Sequence, residues 1–389
     1  MSEIIVLRPP YGENIKETRL DAALDRALEG RPHRVSETLE DFQEEFASKR
    51  RDYVNEGGGT RPLRRVLFAV HLGASGINLE LFRWLKEMRM NPNLLTNCVG
   101  GIIVDGDGDL YTKSMGRQLV LAANACGCAF PGRPYVEGTG SLTNFNIQAR
   151  NRNTDVLTAY YEETRDMVER VLRFGRGSEV GEGVDVGIGS DVEICRKPKL
   201  LMIHSSRPKT SNTYQLWSLA KKEIEAAGVE VTEVSLRNGE VQDCRGCPYK
   251  ACFHFGERGS CFYGGPIVEE VYPALRSCDG LLLLCPNYND ALDANLTAMI
   301  NRMTALYRQV PFYDKKVFAM IVSGYSGSDI IGGQIIGALN MNKAFQLPSK
   351  FSTMATANDP GSAMKIPNIE AKMALYGRHV AAVLKGEKI

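Results

Sequence analysis

Short apolar runs alternate with longer amphipathic stretches along most of this chain. Residues 66–71 and 200–204 are apolar runs of strand length, and each is followed by a polar loop and a segment with helical periodicity. Amphipathic segments at 155–174 and 369–384 end the two halves of this pattern. Because a repeated order of strand and helix is typical of parallel sheets covered by helices, the sequence predicts an α/β protein built from two doubly wound units.

The order of features recurs in the two halves. Trp84 follows His71 by 13 positions and Trp217 follows His204 by the same 13, and these are the only two tryptophans of the chain. We interpret the recurrence as a duplication in which 66–71 and 200–204 are equivalent strands. Two unrelated α/β units would also resemble each other at this level of detail.

The N-terminal part and the middle of the chain differ from this pattern. Residues 1–60 are charged and have helical periodicity at 19–28 and 36–53, whereas the segment that begins at Gly175 is too rich in glycine to hold a helix. The predicted divisions are a helical N-terminal arm at 1–60, a first α/β domain at 61–174, a glycine-rich linker at 175–196 and a second α/β domain at 197–389.

A polar loop follows the apolar run at 200–204. Residues 205–213 carry five hydroxyl side chains and two cations. A loop between a strand and a helix presents unpaired backbone N–H groups at the positive end of the helix dipole, which favours a bound phosphate. The Gly-Lys-Ser/Thr ending of a Walker loop is missing, so a single phosphate, as on a mononucleotide, suits this loop better.

Composition narrows the class of protein. The chain has 389 residues with 47 basic and 46 acidic side chains, so it lacks the charge excess expected of a nucleic-acid or membrane-surface protein. No apolar run reaches the roughly 20 residues of a membrane span, and the N-terminus does not have a secretory pattern, so we expect a cytoplasmic protein. Ten cysteines in such a protein indicate reduced thiols, a metal site or redox work.

Three loops of the second half resemble those of the NAD(P)H-dependent FMN reductase family of flavodoxin-like proteins. Residues 205–213 stand where the family has Gly-Ser-x-Arg-x-x-Gly-Asn-Thr, although Ser205 and Ser211 replace its glycines. Residues 285–292 are similar to the family's Pro-x-Tyr segment, and 323–328 are similar to its third, glycine-containing loop. All three loops follow apolar strands in the order that the family has.

The resemblance, which covers residues 198–386, implies a flavodoxin-like fold, bound FMN, NAD(P)H as cosubstrate and a homodimer or homotetramer. The first half retains neither the hydroxyl-rich loop nor Pro-x-Tyr, so we expect a degenerate flavodoxin-like unit without a second flavin. The FMN contacts that the resemblance implies are Ser205, Ser206, Arg207, Lys209, Ser211, Asn212, Thr213, Pro286, Asn287, Tyr288, Asn289, Ser323, Gly324, Tyr325 and Gly327.

Four cysteines, Cys244, Cys247, Cys252 and Cys261, are clustered with the spacing C-x2-C-x4-C-x8-C. Iron–sulfur flavoproteins related to the reductase family carry a compact cysteine cluster at the corresponding insertion, which implies a [4Fe–4S] cluster here. Zinc is the second candidate, because all-cysteine tetrahedral sites tolerate a wide loop between pairs. The third interpretation is a reduced loop in which the cysteines only pack or form a redox-sensitive pair such as Cys244 with Cys247.

These observations favour an FMN-dependent oxidoreductase that moves electrons from NAD(P)H, or from a reduced carrier such as a ferredoxin-like donor, to a small-molecule acceptor. Two alternatives stay open. One is an electron-transfer iron–sulfur flavoprotein without NAD(P)H turnover, and the other is a thiol or metal redox sensor. The near-neutral charge and the missing membrane segments predict neither a nucleic-acid partner nor a membrane partner.

Overall fold

The computed structural model describes residues 3–10, 18–40, 42, 63–175, 196–237 and 239–387. Its strands are β1 (Ile4–Leu7), β2 (His33–Ser36), β3 (Arg64–Leu72), β4 (Cys98–Gly106), β5 (Cys128–Ala129), β6 (Tyr135–Gly138), β7 (Lys199–His204), β8 (Glu230–Ser235), β9 (Gly280–Pro286), β10 (Lys316–Ser323) and β11 (Ser352–Thr356). They form two parallel sheets, one from β1 to β6 and the other from β7 to β11.

Helices cover both sheets. They are α1 (Arg19–Leu28), α2 (Leu79–Met90), α3 (Thr112–Ala125), α4 (Asn146–Arg152), α5 (Val156–Arg173), α6 (Asn212–Ala226), α7 (Tyr249–Glu257), α8 (Tyr272–Ser277), α9 (Ala294–Tyr307), α10 (Ser328–Ile335) and α11 (Ile369–Leu384), with π-helical turns at Ile267–Val271 and Ile336–Met341 and 3₁₀ turns at Thr143–Phe145 and Ser362–Lys365. Among the described residues, no helix is both long and apolar enough to cross a membrane.

The second sheet has the strand order of flavodoxin. Its order is β11-β10-β9-β7-β8, and every neighbouring pair is parallel. Counted from the first strand of the unit, this is the order 2-1-3-4-5 of the flavodoxin-like doubly wound fold. The central strand β9 is buried along nearly its whole length, as expected for a parallel strand covered by helices on both faces. The predicted α/β fold is confirmed.

The first sheet repeats that order but begins earlier than predicted. Its order is β2-β1-β3-β4-β5, and β6 continues the path of β5 along β4. The four apolar residues of β1 are all buried and pair with both β2 and β3. The prediction of a helical arm at 1–60 is therefore wrong at 4–7 and 33–36, where the structure has strands. A short run of Ile and Val next to a charged segment still forms a buried strand.

The predicted equivalence of strands between the two halves also differs from the structure. Residues 66–71 lie in β3, which is the third strand of the first unit and matches β9, not β7. The strand equivalent to β7 is β1. The matched spacing of Trp84 and Trp217 is therefore a coincidence between helices at different places in the two units.

The predicted helices at 19–28, 155–174 and 369–384 are confirmed as α1, α5 and α11, each within a residue or two. Asp155 caps α5 by accepting the N–H of Thr158. The predicted helix at 36–53 and the predicted linker at 175–196 lie largely outside the described residues. The domain limits that depend on them stay predictions.

The two units meet where the fifth strand of each is interrupted. Phe130, between β5 and β6, forms an antiparallel bridge with Leu347, just before β11, and each N–H donates to the other's carbonyl at 2.8 and 2.9 Å. Asn124 and Asn340, both almost fully buried, lie at either side of this bridge. The contact therefore joins equivalent positions of the two units.

Each asparagine holds its own unit and the other one. Asn124 Nδ2 donates to the carbonyls of Cys128 (2.9 Å) and Pro348 (2.7 Å), and its Oδ1 accepts the N–H of Phe351. Reciprocally, Asn340 Nδ2 donates to the carbonyls of Phe345 (2.7 Å) and Pro131 (2.9 Å). Because equivalent residues exchange equivalent contacts, the units pair as the subunits of a symmetric dimer do.

Helices α3 and α10 pack across the same interface. A Cβ on Gly337 would lie 2.9 Å from Cδ of Arg117, and a Cβ on Gly332 would lie 3.2 Å from a methyl of Leu121. Glycine at these positions lets two helices approach closely, as small residues do wherever backbones pack together. The second helix continues into the π-helical turn that carries Asn340.

We expect Asn124→Ala and Asn340→Ala each to lower the free energy of unfolding by about 2–4 kcal/mol, because each leaves buried backbone groups of both units unpaired. Urea denaturation of each variant beside the wild type measures this loss. Asn342→Ala, which changes an exposed asparagine nearby, is the control and should match the wild type. Equal midpoints for all four proteins would show that the two asparagines do not hold the interface.

Candidate functional site

Four loops meet at the carboxyl edge of the second sheet. They follow β7, β9, β10 and β11, and the first three are the loops that the sequence predicted. In open parallel α/β sheets, this edge is where ligands bind. The topology therefore brings the predicted FMN contacts to one edge of the second unit.

The loop after β7 contains buried hydroxyls. The Oγ atoms of Ser205 and Ser206 are both buried, and among the described residues neither has a hydrogen-bond partner. The backbone N–H of Ser206 donates to Nδ1 of His204 at 3.2 Å, which fixes the start of the loop. Buried hydroxyls without partners are uncommon in proteins, so these two oxygens are available to a ligand.

Helix α6 begins at this loop. Ser211 is its N-cap and accepts the N–H of Tyr214, so its side chain serves the helix and does not point to a phosphate. Thr213 is buried in the first turn, whereas Arg207 and Lys209 are exposed on the loop. The start of a helix of 15 residues and two nearby cations give this end of the loop a positive potential.

Asn212 joins the first loop to the fourth. Its Nδ2 donates to the carbonyls of Ala357 (3.3 Å) and Asp359 (2.9 Å), and its Oδ1 accepts the N–H of Ala363. This side chain, predicted as a direct FMN contact, therefore positions two loops against each other.

Asn287 joins the second loop to the third. Its Nδ2 lies within hydrogen-bond distance of the carbonyl of Ser326 (2.9 Å), Oγ of Ser323 (3.2 Å) and Oδ1 of Asp290 (3.1 Å). The hydroxyl of Ser323 also lies 2.7 Å from that of Ser328, at the start of α10. The two loops are thus held as one unit, and Ser323 is fully buried within it.

The second and third loops contain tight turns. Asn289 and Asp290 both have the left-handed backbone conformation, with φ of 53° and 56°, and Gly327 has a φ of 86°. A Cβ on Gly327 would lie 2.1 Å from Oδ1 of Asp290, so only glycine fits there.

Exposed aromatic rings and glycine backbone border the carboxyl edge of the second sheet. Tyr288 and Tyr325 are 58% and 81% exposed, and they lie on the second and third loops beside half-buried Pro286. Gly324 is similarly constrained, since a Cβ there would come 2.9 Å from Oδ1 of Asn358. Exposed rings and glycine backbone are the surfaces on which a planar ligand packs.

The fourth loop is the part of the site that we did not predict. Asn358 Nδ2 donates to the hydroxyl of Tyr325 at 3.2 Å, and the carbonyl of Asp359 accepts from Asn212. The signal for it was present, because Asn-Asp-Pro-Gly at 358–361 is a strong turn sequence directly after a strand.

The four predicted metal-binding cysteines border one cavity. Cys244, Cys247, Cys252 and Cys261 line a space of about 140 Å³ together with aromatic side chains and the arginines Arg302 and Arg308. Cys244 is exposed and the other three are half-buried. Among the described residues, no three His, Cys, Asp or Glu side chains are placed to hold one metal ion. The four thiols therefore surround a space and do not converge on a point.

A buried cation lies beside this cavity. Arg302 is 2% exposed, and its guanidinium donates to the carbonyls of Gln242 (3.3 Å) and Gly264 (2.6 Å) on both sides of the cysteine loop. Burial raises the pKa of the Cys252 thiol, Arg308 opposes this shift, and the neighbouring cysteines add to it. A negatively charged thiolate is therefore favoured in this cavity only where a nearby cation compensates its charge.

Helix α9 connects the two candidate sites. Asp293, at the end of the second loop, caps this helix by accepting the N–H groups of Asn295 and Leu296. Asn301 and Arg302, further along the same helix, line the cysteine cavity. Asn301 lies eight positions after Asp293, a rise of about 12 Å along a helix.

The corresponding edge of the first sheet is filled by its own side chains. Arg19 pairs with Asp105 at 2.8 Å and also donates to the carbonyls of Gly106, Thr139 and Gly140. Asp105 is 2% exposed and lies 3.6 Å from Nδ1 of His71. An arginine bonded to the ends of the strands thus occupies the place that the open loops of the second unit leave free.

Residues 198–359 match the family of NADPH-dependent FMN reductases. The resemblance predicted from the loops is therefore confirmed for the second unit. No curated protein matches the chain.

Several solved structures are similar to about half of the chain at low sequence identity. An NAD(P)H:quinone oxidoreductase from Methanothermobacter marburgensis is 14% identical, with 48% of this chain and 98% of that one covered and a TM-score of 0.37. A flavodoxin, WrbA-like protein from Agrobacterium tumefaciens is 13% identical (50% and 100% covered, TM-score 0.34). An azoreductase from Bacillus anthracis str. Sterne is 12% identical (49% and 99% covered, TM-score 0.34).

His204 should make ligand binding at the first loop dependent on pH. Burial lowers the pKa of this imidazole, against an opposing effect of Glu233, and only the neutral ring accepts the N–H of Ser206 at Nδ1. As the pH falls below the ordinary value of 6.5, protonation removes that acceptor. We expect the dissociation constant for FMN to rise by about tenfold more in the wild type than in His204→Asn, whose amide oxygen accepts at any pH.

Fluorescence titration of FMN between neutral and acidic pH measures this difference. Both proteins share the titration of the ligand's own phosphate, so the comparison isolates the histidine. His379→Asn is the matched control, because burial also lowers the pKa of His379 but its ring bonds the carbonyl of Ser349. Parallel pH profiles for the wild type and His204→Asn would contradict the assigned role.

Proposed function

We propose that the chain is an FMN-dependent oxidoreductase that takes electrons from NAD(P)H and passes them to a small-molecule acceptor. The observation that carries this proposal is the pair of buried, unpartnered hydroxyls of Ser205 and Ser206 at the positive start of α6. They lie at the same sheet edge as the exposed rings of Tyr288 and Tyr325. A phosphate at one end and a planar ring at the other is the shape of FMN.

Each loop has a part in this proposal. The first loop binds the phosphate through Ser205, Ser206 and the amides that open α6, while Arg207 and Lys209 supply positive charge. Tyr288 and Tyr325 border the ring, and Pro286, Ser323, Gly324 and Gly327 form the backbone that lets it approach. Ser211 and Asn212 act indirectly, by capping the helix and by joining loops.

The second loop also contributes electrostatics. The backbone N–H groups of Asn289 and Asp290 make no hydrogen bond within the described part of the chain, and the left-handed turn holds them at the rim of the edge. Bound FMN supplies hydride and electron transfer, during which negative charge develops on its pyrimidine side. N–H donors fixed before the reaction stabilise such charge without a protein acid or base.

We also propose that Cys244, Cys247, Cys252 and Cys261 hold a [4Fe–4S] cluster. Four thiols line one space of about 140 Å³, which suits a group of several atoms. The buried guanidinium of Arg302 compensates the negative charge of such a group. A helical path of about 12 Å to the second loop also supports the electron-transfer alternative, a flavoprotein without NAD(P)H turnover.

The visible absorption spectrum of protein purified without oxygen is the first test of the flavin. We expect flavin bands and oxidation of NADPH or NADH when a quinone or ferricyanide is added as acceptor. Ser206→Ala should raise the dissociation constant for FMN about tenfold to a hundredfold, because it removes a hydrogen bond to a charged phosphate.

Ser218→Ala is the matched control for that variant, since Ser218 lies on α6 with its hydroxyl bonded to the carbonyl of Tyr214. A protein that contains no flavin and binds none when FMN is added would overturn the proposed function. Bound flavin without turnover of either nucleotide would leave the electron-transfer alternative.

Assays of iron and acid-labile sulfide on the same sample test for the cluster. We expect about four irons per chain in the wild type. Cys252→Ser should lose most of the iron and keep FMN, whereas Cys278→Ala, which changes a buried cysteine outside the cavity, should keep both. One zinc per chain would contradict the cluster and support the zinc alternative. Reduced thiols without metal after reconstitution would leave the redox-sensor interpretation.

A further inference from the structure

A cleft of about 1050 Å³ lies between the two units. Helices α2 and α3 of the first unit form one wall, and α10, β11 and α11 of the second unit form the other. Ligand pockets in proteins usually measure several hundred to about 1000 Å³, so this space can hold a molecule as large as a dinucleotide. The cleft is distinct from the four loops that carry the proposed FMN contacts.

The cleft is strongly cationic. Arg89, Arg117, Lys350 and Lys372 line it, and Asp329 is the one carboxylate among the lining residues. Within the described part of the chain, Arg89 and Arg117 form no salt bridge. Lys350 bonds the side-chain oxygen of Asn93 (2.8 Å) and Lys372 bonds the carbonyl of Met354 (2.7 Å), both neutral acceptors. Among the described residues, none of these four cations forms a salt bridge, so the lining carries a net positive charge.

Arg117 is held in place by the unit that it faces. Its Cδ lies where a Cβ on Gly337 would be only 2.9 Å away, so the aliphatic part of this side chain packs against the second unit. The packed stem limits the positions of the guanidinium, and a preorganised fork of donors binds phosphate more tightly than a mobile one.

The cleft lies next to the proposed flavin loops. Asp329 lines the cleft and directly follows Ser328, whose hydroxyl lies 2.7 Å from that of Ser323 in the third loop. Gln334 lines the cleft and also holds the second loop, because it donates to the carbonyl of Asp290 (3.0 Å) and accepts the N–H of Leu292 (3.0 Å). One helix, α10, separates the cationic space from both loops.

We infer that this cleft binds the adenosine-phosphate part of the pyridine nucleotide, and that the first unit provides its arginines. The inference rests on the proposed function. Four cations match the pyrophosphate together with the 2′-phosphate of NADPH, since a phosphate monoester carries about −1.5 to −2 charge at pH 7. The cleft therefore favours NADPH over NADH, and the first unit serves the reaction without holding a flavin.

Calorimetric titration of the full chain with 2′,5′-ADP tests binding without any turnover. We expect wild-type binding that weakens with added salt, and a rise of about tenfold or more in the dissociation constant for Arg117→Gln and for Arg89→Gln. Arg83→Gln is the matched control, because Arg83 lies on the same helix as Arg89 but pairs with Glu80 away from the cleft. Arg89 is exposed, so its variant tests the cleft even if Arg117→Gln does not fold.

Steady-state kinetics add a second readout. Both arginine variants should raise KM for NADPH about tenfold, change KM for NADH less and leave kcat near the wild-type value. Turnover with unchanged KM and unchanged 2′,5′-ADP binding in both variants would overturn the cleft and leave the proposed function intact. Binding of 2′,5′-ADP that depends on the arginines, without nucleotide turnover, would support nucleotide binding in the cleft and overturn the proposed NAD(P)H-dependent turnover. A wild type that does not bind 2′,5′-ADP would overturn the cleft.

Discussion

The reciprocal hydrogen bonds that Asn124 and Asn340 each make to the other unit fix how the two units of this chain face each other. Each amide satisfies backbone carbonyls of both units where the fifth strand is interrupted, and the antiparallel bridge from Phe130 to Leu347 runs between them. Because buried carbonyls without donors are costly, few other arrangements of the units would satisfy these groups. The packing of α3 on α10, and with it the cationic cleft next to the third loop, depends on this contact.

Asparagine side chains that bond several backbone groups also organise the candidate site. Asn212 joins the first and fourth loops, and Asn287 joins the second and third. Both amides make several hydrogen bonds to groups that turns would otherwise leave unpaired. The side chains that remain for a ligand, Ser205, Ser206 and the two exposed tyrosines, are then presented by loops that hold one another in place.

Local sequence signals were sufficient for single strands and helices in both units and insufficient for the strand order of the first unit. Buried parallel strands such as β9 and β10 are continuous apolar runs, and helices such as α5 begin at a capping residue, so both could be read from the sequence. Strand order depends on partners far away in the chain, which is why the sequence pattern indicates β3 as a first strand and does not indicate β1.

The site was predictable to a similar extent. The positions of three loops followed from glycine, serine and proline after apolar strands, whereas the role of Asn212 depends on a carbonyl about 150 residues away. The pairing of Asn124 with Pro348 is likewise visible only in three dimensions. A polar residue in an apolar helix indicates that some partner exists, but not which one.

Covalent linkage gives the paired units a property that separate subunits do not have. Two subunits that form a cleft between them separate on dilution, so the cleft exists only in the fraction that is assembled. Here the connecting chain keeps the halves at a high effective concentration, independent of how much protein is present. The two walls can also differ in sequence, so that one unit carries open loops and the other carries arginines, whereas each of two identical subunits would have to carry both.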